Sequence, residues 1–409
     1  MQEDFFEKSK EVLKKNKTSV GVIAGDYYRE VWGRDGLITS LGLVASGDEE
    51  LVSLAKLTIN TITKYQNRLG QLPNFVSLDL KRISFGRGGC VDTSLWYPIA
   101  VLNYYKATKD EQFLRYHAKR IDKAVNWVLA LDQNGDGLIE INEGADWMDC
   151  LLRQGRVLYD NVLLYAALYS LDKIREVFRR KAKYKTIGEK IKENINLIFW
   201  PEEKNRQVVG QMFGYGDTYD DFEIMLQNET RKYYYADAGL GVFDPRCDVF
   251  ANVLAILFDV ANEEKKKLIL KHFEEIKAAE PYPVRVLHPS IQPDDAMWFR
   301  YFRKTKIHFP WLQEPGNYHN GGIWPFIGGF YVMALVKEGK DAAAAFKKLI
   351  EVNKLGSKEE WEFPEWVRAN GELLISSEGI PRYSPHQSWS ASMLILANKW
   401  LEEGPSSLI

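Results

Sequence analysis

An all-α fold of the (α/α)6-barrel type is what this sequence predicts, and three observations predict it. Apolar residues recur at helical spacing over most of the 409-residue chain. The helical stretches come in pairs joined by a few polar residues, as antiparallel neighbours require. Members of several pairs differ in character, one apolar nearly all round and the other carrying a single stripe, which suits a buried helix and a surface helix. About twelve such helices, alternating inner and outer, close into one barrel spanning residues 1–409.

In chain order the spacing predicts helices over 3–15, 35–46, 48–67, 92–107, 109–131, 160–180, 183–199, 244–260, 262–278, 293–303, 321–338, 340–353 and 386–403. The stretch WYPIAVLNYY (96–105) is apolar on every side, whereas KKKLILKHFEEIKAAE (265–280) has one apolar stripe. Between the helices, long aromatic and polar loops are expected at 68–91, 132–159, 200–243, 304–320 and 354–385. Loops of that length in a compact domain usually carry function. Their carboxylates and aromatics should gather at one mouth.

Composition excludes several classes. Net charge is −2, from 54 basic and 56 acidic side chains, which offers nothing to nucleic acid or to a membrane surface. No apolar run approaches the roughly 20 residues of a membrane span. MQEDFFEKSKEVLKKNK at the N-terminus is a charged amphipathic helix without the apolar centre of a signal peptide. Cys90, Cys150 and Cys247 are odd in number and lack metal spacing, so they read as reduced thiols in a cytoplasmic protein. Aromatics reach 13%, with 12 Trp and 21 Tyr, side chains that fill cores and also stack on the apolar faces of sugars.

Several segments combine acids with aromatics, and each has a plain structural reading beside a functional one. DQNGDGLIEINE, Asp132 to Glu143, fits a calcium loop at Asp132, Asn134, Asp136, Gly137, Ile139 and Glu143. The glycine that follows Glu143 breaks the helix an EF-hand needs, and an Asx-turn with Gly137 at positive φ explains the same residues. VWGRDG (31–36) sets Trp32 beside Arg34 and Asp35, which can serve vicinal hydroxyls or cap the following helix. GADWMD (144–149) holds Asp146 and Asp149 around Trp147. A carboxyl kept against an aromatic and a second carboxylate retains its proton to higher pH, as a general acid must. EFPEWV (362–367) offers Glu365 as a base in an aromatic loop. NYHNGGIWPFIGGF (317–330) joins His319 and Asn320 to a glycine turn and an apolar helix, with Trp324 in the same segment. QSWSASMLI (387–395) reads as the start of a buried helix.

Taken in this order, WGRD, VDTSLW (91–96), WMD, YHNGGIWPF and a PE loop before QSWS resemble the amylo-α-1,6-glucosidase domain of glycogen debranching enzymes. Glucoamylases are similar more distantly. Neutral and alkaline invertases share VDTSLW, MD followed by G-x-x-x-Y (149–159), YHNGG and the PEW loop. The likeness covers roughly residues 25–400.

That resemblance implies Asp149 as general acid and Glu365 as general base. It places Trp32, Arg34 and Asp35 against the terminal sugar, with Asp92, Trp96, Asp146, Trp147, His319, Asn320 and Trp324 lining the pocket. Debranching enzymes carry a further domain ahead of the barrel, so the expected substrate here is a smaller oligosaccharide or glucoside. The expected activity is inverting, exo-acting release of glucose from an α-glucoside, a reaction that requires no metal or organic cofactor. The alternatives are an invertase-like sucrose hydrolase, a sugar isomerase or epimerase, and a carbohydrate-binding barrel without catalysis.

Overall fold

A computed structural model describes residues 2–86, 88–214, 216–228, 232–239, 242–303 and 309–409. The expected loops at 68–91, 200–243 and 304–320 therefore lie partly outside the described residues. Helices are numbered in chain order.

Six helices form the inner ring: α2 (Gly33–Ala45), α4 (Val91–Thr108), α6 (Leu158–Val177), α10 (Val249–Leu257), α13 (Pro325–Lys337) and α15 (Ser388–Glu403). Each packs on the next, and α15 returns to α2, so the ring closes. Six more lie outside it: α1 (Gln2–Lys15), α3 (Glu49–Lys64), α5 (Glu111–Leu129), α7 (Lys185–Ile198), α11 (Glu263–Glu275) and α14 (Ala343–Lys354). This is the (α/α)6 barrel that the paired helices predict. Among the described residues β-structure is limited to short antiparallel strands of two or three residues and isolated bridges, and no sheet closes. No described helix is long and apolar enough to cross a membrane.

The division into inner and outer follows from the residues. In α4 every residue from Val91 to Leu102 is buried, and in α13 every residue from Pro325 to Leu335. The outer α5 instead buries only Phe113, Leu114, His117, Ile121, Ala124, Val125 and Val128, one stripe at helical spacing. Asp48, Asp110 and Asn262 cap the outer helices α3, α5 and α11 by accepting backbone N–H groups of the first turn. In the inner ring small residues let backbones touch. A Cβ on Gly42 of α2 would stand 2.0 Å from the Ser392 carbonyl oxygen of α15, so only glycine fits this crossing.

Links from an inner helix to the following outer one are short, and links back to the ring are long. Every inner helix is thus entered from a long loop, and the six inner N-termini meet at one rim. The long loops carry more structure than their sequence announces. Residues 75–76 and 83–84 form a hairpin that pairs with 31–32, just before α2. Within 200–243 lie α8 (Arg206–Phe213) and α9 (Asp217–Leu226). The predicted helix 244–260 begins only at Val249, because Val242–Asp244 pairs with Asp237–Gly239 and Asp248 accepts the Ala251 N–H as the cap. α12 (Met297–Phe302) is shorter than the predicted 293–303.

Candidate active site

At the rim of inner N-termini lies a cavity of about 590 Å³. It is lined by Tyr28, Trp32, Arg34, Asp35, Trp147, Asp149, Cys150, Tyr318, His319, Trp324, Glu365 and Trp389. The residues come from five separate segments of the chain.

The first segment is fixed by the hairpin. Trp32 ends the strand paired to Phe75, with its ring 5.0 Å from the Phe75 ring, and α2 starts at the next residue. Arg34 and Asp35 are therefore held on the first turn of α2. The Arg34 guanidinium pairs with Asp35 at 3.3 Å and with Asp92, at the start of α4, at 3.5 Å. Burial raises the affinity of both carboxyls for protons, and the charge of Arg34 opposes that rise.

Asp149 is projected by a built turn. Asp146 accepts the Met148 N–H at 2.9 Å and the Arg153 Nε–H at 2.5 Å, while Arg153 also reaches Asp248, the cap of α10, at 2.6 Å. Asp146 thus closes the turn whose tip is Asp149. Trp147 packs edge-on against His319, Trp324, Phe250 and Phe326, which anchors the same turn to two inner helices. Asp149 is exposed to the cavity, yet protein encloses it on the other sides. That enclosure pushes its carboxyl up to about 6 against the pull of Arg34, and water in the cavity tempers the shift.

Glu365 stands on the loop before α15. Its carboxylate accepts the Tyr318 hydroxyl at 3.3 Å and the Ser384 N–H at 3.2 Å. Burial, reinforced by Asp35, pushes it up to about 8, although those donors favour the charged form. In the open cavity, therefore, Glu365 holds a proton more tightly than Asp149. Burial of His319 keeps its imidazole neutral, with the charges of Arg153 and Arg34 acting in the same direction.

Four of the expected pocket residues lie behind the cavity wall. Asp92 is fully buried and serves Arg34 and the Tyr159 hydroxyl. Trp96, one turn further along α4, is fully buried and donates its indole N–H to Tyr159 at 2.9 Å. Asp146 is consumed by Arg153 and its own turn. Asn320 ties two loops together through the carbonyls of Ile291 and Gln313 and the Ile291 N–H. These residues support the wall that Trp32, Arg34, Asp35, Trp147, His319 and Trp324 present to the cavity.

The cavity also holds four residues that sequence reasoning does not single out: Tyr28, Cys150, Tyr318 and Trp389. Three of them sit beside or inside segments that it does single out. Trp389 reads as core because α15 is buried all round.

The Asp132 loop forms an Asx-turn. Asp132 accepts the N–H groups of Gly135 and Gly137, at 2.8 and 3.0 Å, with Gly137 at φ +84°. Asp136 pairs with Arg156 at 2.5 Å, and Glu143 pairs with Arg303. The loop ends in the turn that carries Asp149.

Comparison with known proteins identifies a family and a shared fold. The family model described as "Amylo-alpha-1,6-glucosidase" matches residues 4–396. Alkaline/neutral invertase C, mitochondrial, of Arabidopsis thaliana is 21% identical over 366 residues, covering 82% of this chain and 52% of that protein. Alkaline/neutral invertase E, chloroplastic, of the same organism is 24% identical over 357 residues, covering 78% and 54%. The chain spans about half the length of these curated relatives. Among solved structures, the GH63 mannosylglycerate hydrolase of Thermus thermophilus, in complex with Tris and D-glycerate, superposes with a TM-score of 0.67 at 14% identity. The match covers 96% of this chain and 100% of that one, a likeness of fold.

Proposed function

The chain belongs to the amylo-alpha-1,6-glucosidase family, a family of glycoside hydrolases, and on that footing we propose an inverting, exo-acting hydrolase that releases glucose from the non-reducing end of an α-glucoside or oligosaccharide. One observation carries the reading. Two carboxyls on different loops, Asp149 and Glu365, open into one cavity whose walls are Trp32, Trp147, Trp324 and Trp389, with Arg34 and Asp35 at its side. Inverting hydrolysis needs one protonated carboxyl at the leaving oxygen and one carboxylate that activates water on the opposite face. Indole faces receive the apolar faces of a pyranose, and the Arg–Asp pair supplies donors and acceptors to its hydroxyls.

Asp149 acts as the acid and Glu365 as the base. Their proton affinities in the open cavity run the other way, so most singly protonated molecules hold the proton on Glu365. Sugar binding narrows that gap. It expels the water that Asp149 faces, and a carboxyl that loses water holds its proton more tightly.

The active form is the singly protonated pair with its proton on Asp149, and its share follows pH as the whole singly protonated population does. Below about pH 6 both are protonated, and above about pH 8 both are ionised. The profile of kcat/KM against pH should therefore be a bell with its maximum near pH 7. A rate that rises steadily from pH 5 to pH 9 contradicts this pairing.

The substrate is tested by a hydrolysis screen over maltose, isomaltose, panose, sucrose, trehalose and glucosylglycerate. Glucose released from isomaltose or panose, with sucrose untouched, is the expected result. The relatives named as invertases favour a second reading, in which sucrose is cleaved by the same acid and base. Turnover of sucrose alone selects that reading, and no turnover of any member contradicts both. The three cysteines are thiols, with no disulfide between them, which supports a reducing, cytoplasmic setting.

A further inference from the structure

We propose that Asp149, Cys150 and His319 form a site for a divalent cation of the zinc class, and that its occupancy reversibly blocks hydrolysis. A carboxylate oxygen, the Cys150 sulfur and an imidazole nitrogen of these residues all lie within 4.8 Å of one another. All three residues line the cavity, so an ion held between them keeps a coordination position open to water or to a hydroxyl.

His319 supplies the independent observation. It is 2% exposed, and neither ring nitrogen has a hydrogen-bond partner among the described residues. A buried polar group without a partner costs free energy, and a ligand that engages it recovers that cost. The ring is held for the purpose: it stacks on Trp324 at 17° and meets the edge of Trp147. Its imidazole is neutral, the state that binds a metal.

The donor set chooses the ion. One sulfur, one nitrogen and one oxygen suit zinc and its borderline neighbours, whereas calcium and magnesium require oxygen ligands. On coordination the thiol of Cys150 gives its proton to solvent and the ionised Asp149 becomes a ligand. No electron is transferred and no covalent bond within the protein is broken. Asp149 then has no proton for a leaving oxygen. This inhibitory consequence rests on the reading of Asp149 as the acid, whereas binding itself does not.

Cobalt(II) is the probe, because a thiolate ligand gives it a near-ultraviolet charge-transfer band. Titrating the full-length protein should produce that band at one equivalent, displaced by zinc. It should be lost in C150S, and the cobalt affinity of H319Q should fall at least about tenfold. Cys90 and Cys247 are buried, so the C150S comparison assigns the sulfur without relying on turnover. The wild-type band stands as evidence even if a variant fails to fold. No band, or an unchanged band in C150S, overturns the site. Full cobalt occupancy should also abolish hydrolysis, with recovery on chelation. A genuine band with turnover unchanged overturns the inhibition and the role of Asp149 while leaving the metal site in place.

Discussion

Asp149→Asn lowers kcat by about 10²–10⁴-fold on an alkyl α-glucoside, the usual contribution of one general acid. The loss should shrink on an activated aryl glucoside, whose leaving oxygen needs little protonation. The fold survives, because Asp149 faces the cavity while Asp146, Arg153 and Trp147 hold the turn beneath it. Asp146→Asn is the matched control with the opposite signature. It weakens the buried pair with Arg153, so it should lower thermal stability and reduce turnover to a similar degree on both substrates. Near-normal kcat in Asp149→Asn on the alkyl glucoside contradicts the assignment. So does an equal loss on both substrates, which would move the proton donor elsewhere.

Arg34→Ala should cost both binding and stability. In the folded protein Arg34 compensates two buried carboxylates, Asp35 at 3.3 Å and Asp92 at 3.5 Å. Removing one partner of a buried pair costs about 3–5 kcal/mol, because a charge is left uncompensated. The sign with pH follows from the carboxyls. Their folded affinities for protons are already raised by burial and rise further without the guanidinium. The variant's penalty is therefore small below about pH 4, where these groups are protonated folded or unfolded, and grows as pH rises. Thermal melts of wild type and variant across pH 4–8 read this directly. Kinetics read the second half: kcat/KM and inhibition by free glucose should weaken together. Glucose inhibition equal to wild type would place Arg34 outside the sugar site. A penalty that does not change with pH would remove the account of the two aspartates.

The fold was legible because its signal is redundant. Two kinds of helix, apolar all round and striped, are written into pairs such as α4 with α5, and the short links between them leave little choice of neighbour. α8 and α9 were not legible. RQVVGQMF is brief, and DTYDDFEIML is acidic and weakly striped, so neither stands out from the loop that holds it. At the site, chemistry was legible and facing was not. Arg34, Asp35, Asp149, His319 and Glu365 share the cavity that their motifs suggested. Asp92 and Asp146 are acids of the same kind, but each meets an arginine instead of the cavity, and that depends on rotations of a turn or a helix start that spacing does not encode. Trp389 shows the converse. It begins an all-round buried helix, yet its ring reaches the cavity because the helix starts at the rim.

The central claim is that Asp149 and Glu365 act as acid and base with a water between them. Carboxyls in that arrangement stand roughly 6.5–9.5 Å apart, against about 5–5.5 Å when one is a nucleophile. Stereochemistry decides between the two in a single measurement: proton NMR of the first turnovers on an α-glucoside, recorded before mutarotation mixes the anomers. The account predicts that β-glucose appears first. α-Glucose as the initial product would contradict it and make Glu365 a nucleophile.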